Sequence, residues 1–169
     1  PIIDQRYRIG DLIGKGGMGR IYKAYDLKLN ERPCAIKILR TSSQSDEDRK
    51  RFQKEINLVS QLRNSHIVQI LDTGTLTNDE VYLVMELLEG QTLSSLFKDT
   101  EYSFPQKEAL RITRGLLVGL LEAHSLGVIH RDLKPANLFL VSTGGEGFLK
   151  ILDFGIAKVI SETPDQSHE

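Results

Sequence analysis

His130-Arg131-Asp132-Leu133-Lys134-Pro135-Ala136-Asn137 places a proton acceptor, a cation and an amide able to ligate a metal ion on one short loop. That set suits phosphoryl transfer. A hydroxyl attacking a γ-phosphorus must hand its proton to a base while cations spread the charge on the transferring oxygens. Asp132 can accept the proton and Lys134 can lie along the phosphate. Asn137 can offer its carbonyl oxygen to Mg²⁺, a hard ion that takes oxygen ligands.

Gly14-Lys15-Gly16-Gly17-Met18-Gly19-Arg20-Ile21 fits G-x-G-x-x-G followed by an aliphatic residue. Glycines let backbone N–H groups approach phosphate oxygens with no Cβ in the way. Dinucleotide-binding folds share the spacing, but they need a helix directly after the loop and an acidic residue about 20 positions on. Here Arg20 to Asp26 reads as a strand, and the G-K-[ST] ending of a P-loop is missing. Lys37 stands on an apolar strand, Cys34-Ala35-Ile36-Lys37, where an unpaired ammonium is costly to desolvate. Nucleotide phosphates and the helix carboxylate Glu55 would supply the anions. The alternative has Lys37 snorkelling from an edge strand and Glu55 on a solvated helix face. Asp153-Phe154-Gly155 ends a further strand, so Asp153 and Asn137 would make a Mg²⁺ pair completed by substrate phosphates. His66 and His124 read as structural hydrogen-bonders, His168 lies in a polar tail, and His130 reads as packing rather than transferring protons.

The elements that must position these groups can be read from periodicity. Residues 7–13, 20–26 and 33–39 read as strands of a small antiparallel sheet, the first two joined by the glycine run. Ser45 and Asp48 have capping-box spacing for a helix with Phe52, Ile56, Val59 and Leu62 on one face and Glu55 beside it. Strands are expected at 66–72 and 81–85, joined by a turn over 74–79, with 86–91 as a connector. Helices are expected near 92–98 and again after Ser103 and Pro105. In the second, Ala109, Ile112, Leu116, Leu117, Leu120 and Leu121 predict a mostly buried helix. Strands at 138–141 and 148–152 flank a glycine turn over 142–147, and 161–169 carries no packing signal.

The chain has 169 residues, enough for one domain, with 22 Lys+Arg against 23 Asp+Glu. The near balance gives no field to recruit nucleic acid or an anionic membrane. No apolar run approaches the roughly 18 residues of a membrane span and no signal peptide opens the chain, so it reads as cytoplasmic. The one cysteine, Cys34, cannot form an internal disulfide and reads as a buried thiol. Pro1 at the start, rather than Met, suggests a piece of a longer polypeptide.

Together these residues resemble the eukaryotic-type (Hanks-type) serine/threonine protein kinases, and GKGGMG, HRDLKPAN and DFGIAK are similar to the bacterial branch. The match runs from about Tyr7 to Lys158 with every motif in family order. The resemblance implies an α+β, two-lobed protein-kinase-like fold. A complete small lobe, an antiparallel sheet plus one helix, would span residues 1–85. A hinge would span 86–91, and a partial, mostly helical large lobe would span 92–169. ATP and Mg²⁺ are the implied cofactors, and protein Ser/Thr hydroxyls the implied acceptors.

By the same resemblance, Gly14, Lys15, Gly16, Gly17, Met18, Gly19 and Ile21 would cover the phosphates, Lys37 would hold two of them, and Glu55 would orient Lys37. Met85 would be the gatekeeper, Glu86 and Leu88 would offer hinge backbone groups to adenine, and Ala35 with Phe139 would sandwich the base. Asp132 would be the catalytic base, Lys134 a γ-phosphate contact, and Asn137 and Asp153 the metal ligands. Lysine two residues after Asp132 is the serine/threonine pattern. Arg131 would answer a phosphate in the activation loop, for which Ser161, Thr163 and Ser167 are weak candidates.

Three departures stand out. Cys34 replaces the usual valine, the stretch from Asn137 to Asp153 is about three residues longer than usual, and nothing after Lys158 matches the A-P-E motif or the helices beyond it. The expectation is therefore a kinase fragment, inactive or poorly folded alone, with a large exposed apolar face. A pseudokinase or nucleotide-binding scaffold is the alternative, against which stand Lys37, Asp132, Asn137 and Asp153, all present.

Overall fold

The computed structural model describes residues 1–17, 19–39, 46–98, 103–142 and 147–154, apart from the side chains of 46–49 and 51–53. Met18, Ser45, the side chain of Phe52, Gly155 and the tail with Ser161, Thr163, Ser167 and His168 lie outside the described residues. The chain divides into two compact units, Pro1–Lys50 with Gln69–Leu88, and Arg51–Val68 with the residues from Glu89 onward.

The first unit is an antiparallel six-stranded sheet in the order β1-β2-β3-β4-β6-β5. Its strands are β1 (Ile2–Ile3), β2 (Tyr7–Gly16), β3 (Gly19–Asp26), β4 (Arg32–Leu39), β5 (Ile70–Thr75) and β6 (Val81–Glu86). The alternation of a pleated strand sorts their side chains. One face gathers Ala24, Cys34, Ile36, Ile38, Tyr82 and Val84 into a core closed by Ile3 and Tyr7. Cys34 is buried there as expected, and burial pushes its thiol pKa up. Below the core, Arg6 reaches both carboxylate oxygens of Asp26 and also bonds Asp72 at 2.9 Å, while Tyr7 gives its hydroxyl to the same Asp72.

The strand expected at 66–72 starts later, at Ile70, and runs on to Thr75. The reason lies in the second unit, where His66 to Val68 are already bonded. Ile151 donates to the His66 carbonyl at 2.8 Å and Val68 donates to the Ile151 carbonyl at 3.0 Å.

In the second unit, α1 (Asp46–Val59), within which the division between the units falls, buries Ile56 and Val59, with Leu62 buried just beyond its end. The stretch read as a connector contains a strand, β7 (Gly90–Thr92), which pairs with β8 (Leu138–Val141), and β8 pairs with β9 (Phe148–Ile151). Thr92 then caps the short α2 (Leu93–Leu96) by accepting from Ser95 N–H at 3.1 Å.

The long helix α3 (Gln106–Ser125) is not mostly buried. Its inward face is Ile112, Gly115, Gly119 and Ala123, whereas Leu117 and Leu121 are 61% and 73% exposed. Two glycines set that face, because the chain at His66 and the Ile151 side chain pack where their Cβ atoms would be. Leu110, Leu117, Val118 and Leu121 are left as an apolar stripe, which agrees with the exposed face expected from the sequence.

Candidate active site

Each unit carries part of the residue set singled out by chemistry. In the first unit the pairings Ile21↔Lys37 and Ala35↔Met85 put these four residues on the sheet face opposite the Cys34 core. Lys37 is buried. The glycine run forms the end of the β2–β3 hairpin, with Gly16 paired to Gly19 and Lys15 to Arg20. Gly19 is demanded by the fold, since its φ is +150° and a Cβ would lie 2.1 Å from the Ile38 carbonyl oxygen. Gly16 and Gly17 are not, since a Cβ on either would meet nothing within 4 Å. Their lack of a side chain leaves room for an anion to come close to the backbone. Glu86 closes β6, its main-chain N–H bonded to the Gln69 carbonyl at 3.1 Å and its Oε1 accepting from Gln69 N–H. Leu88 follows, half-buried.

In the second unit Asp132 sits between two donors. Lys134 Nζ is 2.8 Å from its Oδ2, and Asn137 Nδ2 donates to the same oxygen at 3.2 Å and to the Asp132 carbonyl at 2.8 Å. Both side-chain bonds fall on Oδ2, so Oδ1 takes none among the described residues. The hydrogen bond from Lys134, followed by its charge and the Asn137 amide, holds the Asp132 carboxyl below its ordinary pKa. Asp132 is thus an ionised acceptor at neutral pH with one oxygen open. Pro135–Asn137 form a 3₁₀ turn that starts with proline, where the missing N–H costs nothing.

The turn and β9 are tied together. Leu152 donates its N–H to the Asn137 carbonyl at 2.8 Å, which holds Asp153 beside the turn. With its Nδ2 committed to Asp132, Asn137 keeps Oδ1 as an acceptor, so an amide oxygen and a carboxylate stand on neighbouring segments. Hard oxygen donors of this kind fit Mg²⁺. No three His, Cys, Asp or Glu side chains converge among the described residues, so an all-protein cage of that kind is not what these residues build. Phe139, half-buried on β8, pairs with Thr92 and Lys150, on the opposite face of the strand from the buried Leu138 and Leu140.

Two relationships were not legible beforehand. His130 is buried, and its Nε2 donates to the Leu152 carbonyl at 2.7 Å while Nδ1 accepts from Asp132 N–H at 3.3 Å. Its ring also packs on Phe154 at 4.8 Å. His130 therefore packs, as read from the sequence, but it also joins the loop to the strand end before Asp153. Glu55 lies in the second unit, where Arg131 Nη1 reaches its Oε1 at 3.3 Å. Arg131 and Asp153 both hold left-handed backbone, φ 63° and 55°, a conformation that costs non-glycine residues of order 1 kcal/mol or more and gathers at functional sites.

Residues 7–169 match the family model described as the protein kinase domain. A serine/threonine-protein kinase, pkn3 of Myxococcus xanthus, is 38% identical over 165 residues, which is 96% of this chain and 30% of that protein. A probable serine/threonine-protein kinase, PknB of Lactococcus lactis, is 40% identical over 163 residues, 96% of this chain and 25% of that protein. The chain thus spans less than a third of the length of these relatives. Among solved structures, the kinase domain of Mycobacterium tuberculosis PknI is similar with a TM-score of 0.78 and 28% identity, over 92% of this chain and 62% of that one.

Proposed function

Because the chain belongs to the protein kinase domain family, we propose that it carries the machinery of an ATP-dependent serine/threonine kinase, passing the ATP γ-phosphate to protein hydroxyls. The observation that supports this reading best is Asp132, ionised, with Oδ2 held by Lys134 and Asn137 and Oδ1 open. Oδ1 takes the proton of the attacking Ser or Thr hydroxyl. Lys134 sits close enough to Asp132 to meet the phosphoryl group as it leaves ATP, and Lys37 holds the phosphates that remain. Asn137 Oδ1 and Asp153 would hold Mg²⁺, which would supply positive charge beside the phosphate oxygens when bound. Gly14 to Gly19 and Ile21 cover the phosphates, Ala35 and Phe139 take the base, and Met85, Glu86 and Leu88 border it. Residues 1–85, 86–91 and 92–169 serve as small lobe, hinge and part of a large lobe. No described helix is long and apolar enough to cross a membrane.

Asp132→Asn tests the reading directly, since it keeps the shape and removes the base. Phosphate transfer from labelled ATP to a Ser/Thr protein acceptor should fall by about 10² to 10⁴, with ATP binding retained. Unchanged biological function in the Asp132→Asn protein would instead establish a nucleotide-binding scaffold.

A further inference from the structure

A cavity of about 350 Å³ opens in the second unit, lined by α3, the Asn64–His66 corner and the start of β9. None of its residues belongs to the set assigned above to phosphoryl transfer. Its volume lies at the lower end of the range that takes small organic ligands. Its floor is apolar, with Ile112 and Leu149 both buried. One wall is flat. His66 stacks on Phe148 with ring centroids 4.3 Å apart and planes within 12°.

The His66 ring is fixed from two sides. Its Nδ1 bonds to the Leu149 carbonyl at 2.8 Å, and its edge lies against Gly115, where a Cβ would come within 2.7 Å of the ring. The polar rim is cationic. Arg111 and Arg114 both line the cavity, one helical turn apart, and among the described residues no acidic side chain does. Arg111 is 3.6 Å from the half-buried Glu108 carboxylate, whereas Arg114 is exposed and has no ion-pair partner among the described residues. A guanidinium is a planar fork matched to carboxylate and phosphate.

We propose that this cavity binds a small organic anion, its flat apolar body lying along Phe148 and His66 and its carboxylate or phosphate held by Arg114 with Arg111. The cavity shares no residue with the nucleotide set.

Phenyl phosphate, one ring and one anionic group, is a suitable probe, titrated into the full chain with backbone amide NMR as readout. Saturable shifts should centre on Gly115 and Phe148. Arg114→Ala should weaken binding at least about tenfold, and Arg114→Lys, which keeps the charge and loses the fork, should fall between. Inorganic phosphate and phenol should each bind at least about tenfold more weakly, because each offers half of the recognition. Lys37→Met should leave the affinity unchanged, which separates this cavity from the nucleotide residues. Equal affinity in Arg114→Ala, equal binding of inorganic phosphate, loss of binding in Lys37→Met or the absence of saturable shifts would each overturn the assignment. So would tighter binding of a blocked Glu-Phe dipeptide, which would make the occupant a peptide.

Discussion

Asn137 donates from one amide nitrogen to two oxygens of Asp132, the main-chain carbonyl at 2.8 Å and Oδ2 at 3.2 Å. The pair fixes which end of each side chain is spent internally and which is left for chemistry. Asp132 keeps Oδ1 and Asn137 keeps its own Oδ1.

Asn137→Ala should therefore damage two things at once. Asp132 loses a donor, which costs stability of about 1 kcal/mol, and a cation loses an oxygen ligand. We expect kcat to fall by about 10² or more and the Mg²⁺ concentration for half-maximal activity to rise. A metal titration of initial rates, set beside urea unfolding, separates the two effects.

Lys134→Ala should move the acid limb of the activity profile. Lys134 lowers the Asp132 pKa, so its removal lets that pKa rise toward the ordinary aspartate value, and protonation then begins at a higher pH. The acid limb of kcat/KM should shift upward in pH in this variant. An unmoved limb in a rate series from about pH 2.5 to 6, which brackets the ordinary aspartate value, would show that Asp132 is not the titrating base.

Asp26 should make the first unit acid-sensitive. Its hydrogen bonds from Arg6 hold its folded pKa below the unfolded value of about 3.9. A depressed folded pKa adds stability that is present above the unfolded value and is lost as the pH falls through the folded one. Asp26→Asn should cost about 2–3 kcal/mol at neutral pH and flatten the fall in stability below about pH 4. Unfolding curves at neutral and acid pH on both proteins provide the comparison.

Gly19 and Gly17 should respond in opposite ways to the same change. Gly19→Ala drives a methyl onto the Ile38 carbonyl in a left-handed backbone and should cost about 2 kcal/mol or more. Gly17→Ala meets open space and should leave thermal stability within about 0.5 kcal/mol. Its effect should appear in a higher Kd for ATP. A stable Gly17→Ala chain with unchanged ATP affinity would remove the phosphate role from this residue.

Legibility followed physical type. The strands at Tyr7, Gly19 and Arg32 were readable because one face is apolar and buried, so alternation records it. The face of α3 was misread because leucines surround it and the packing is decided by absence of side chain, at Gly115 and Gly119. The late start of β5 was hidden because His66 to Val68 bond with Ile151, far along the chain. In the site, Asp132, Lys134 and Asn137 were readable as a chemical set within one loop, and their mutual bonds follow from closeness in sequence. The Arg131–Glu55 pair spans 76 positions with no local signal.

The bonds that tie Leu152 to both His130 and Asn137 bear on how this sequence can change over time. Register between β8 and β9 is set at the Leu138↔Ile151 end, next to those bonds. Length between Val141 and Phe148 is thereby uncoupled from the spacing of Asn137 and Asp153. Residues inserted there would leave that spacing unchanged, so this connection is the natural place to splice in a tag or reporter while keeping the chemistry in frame.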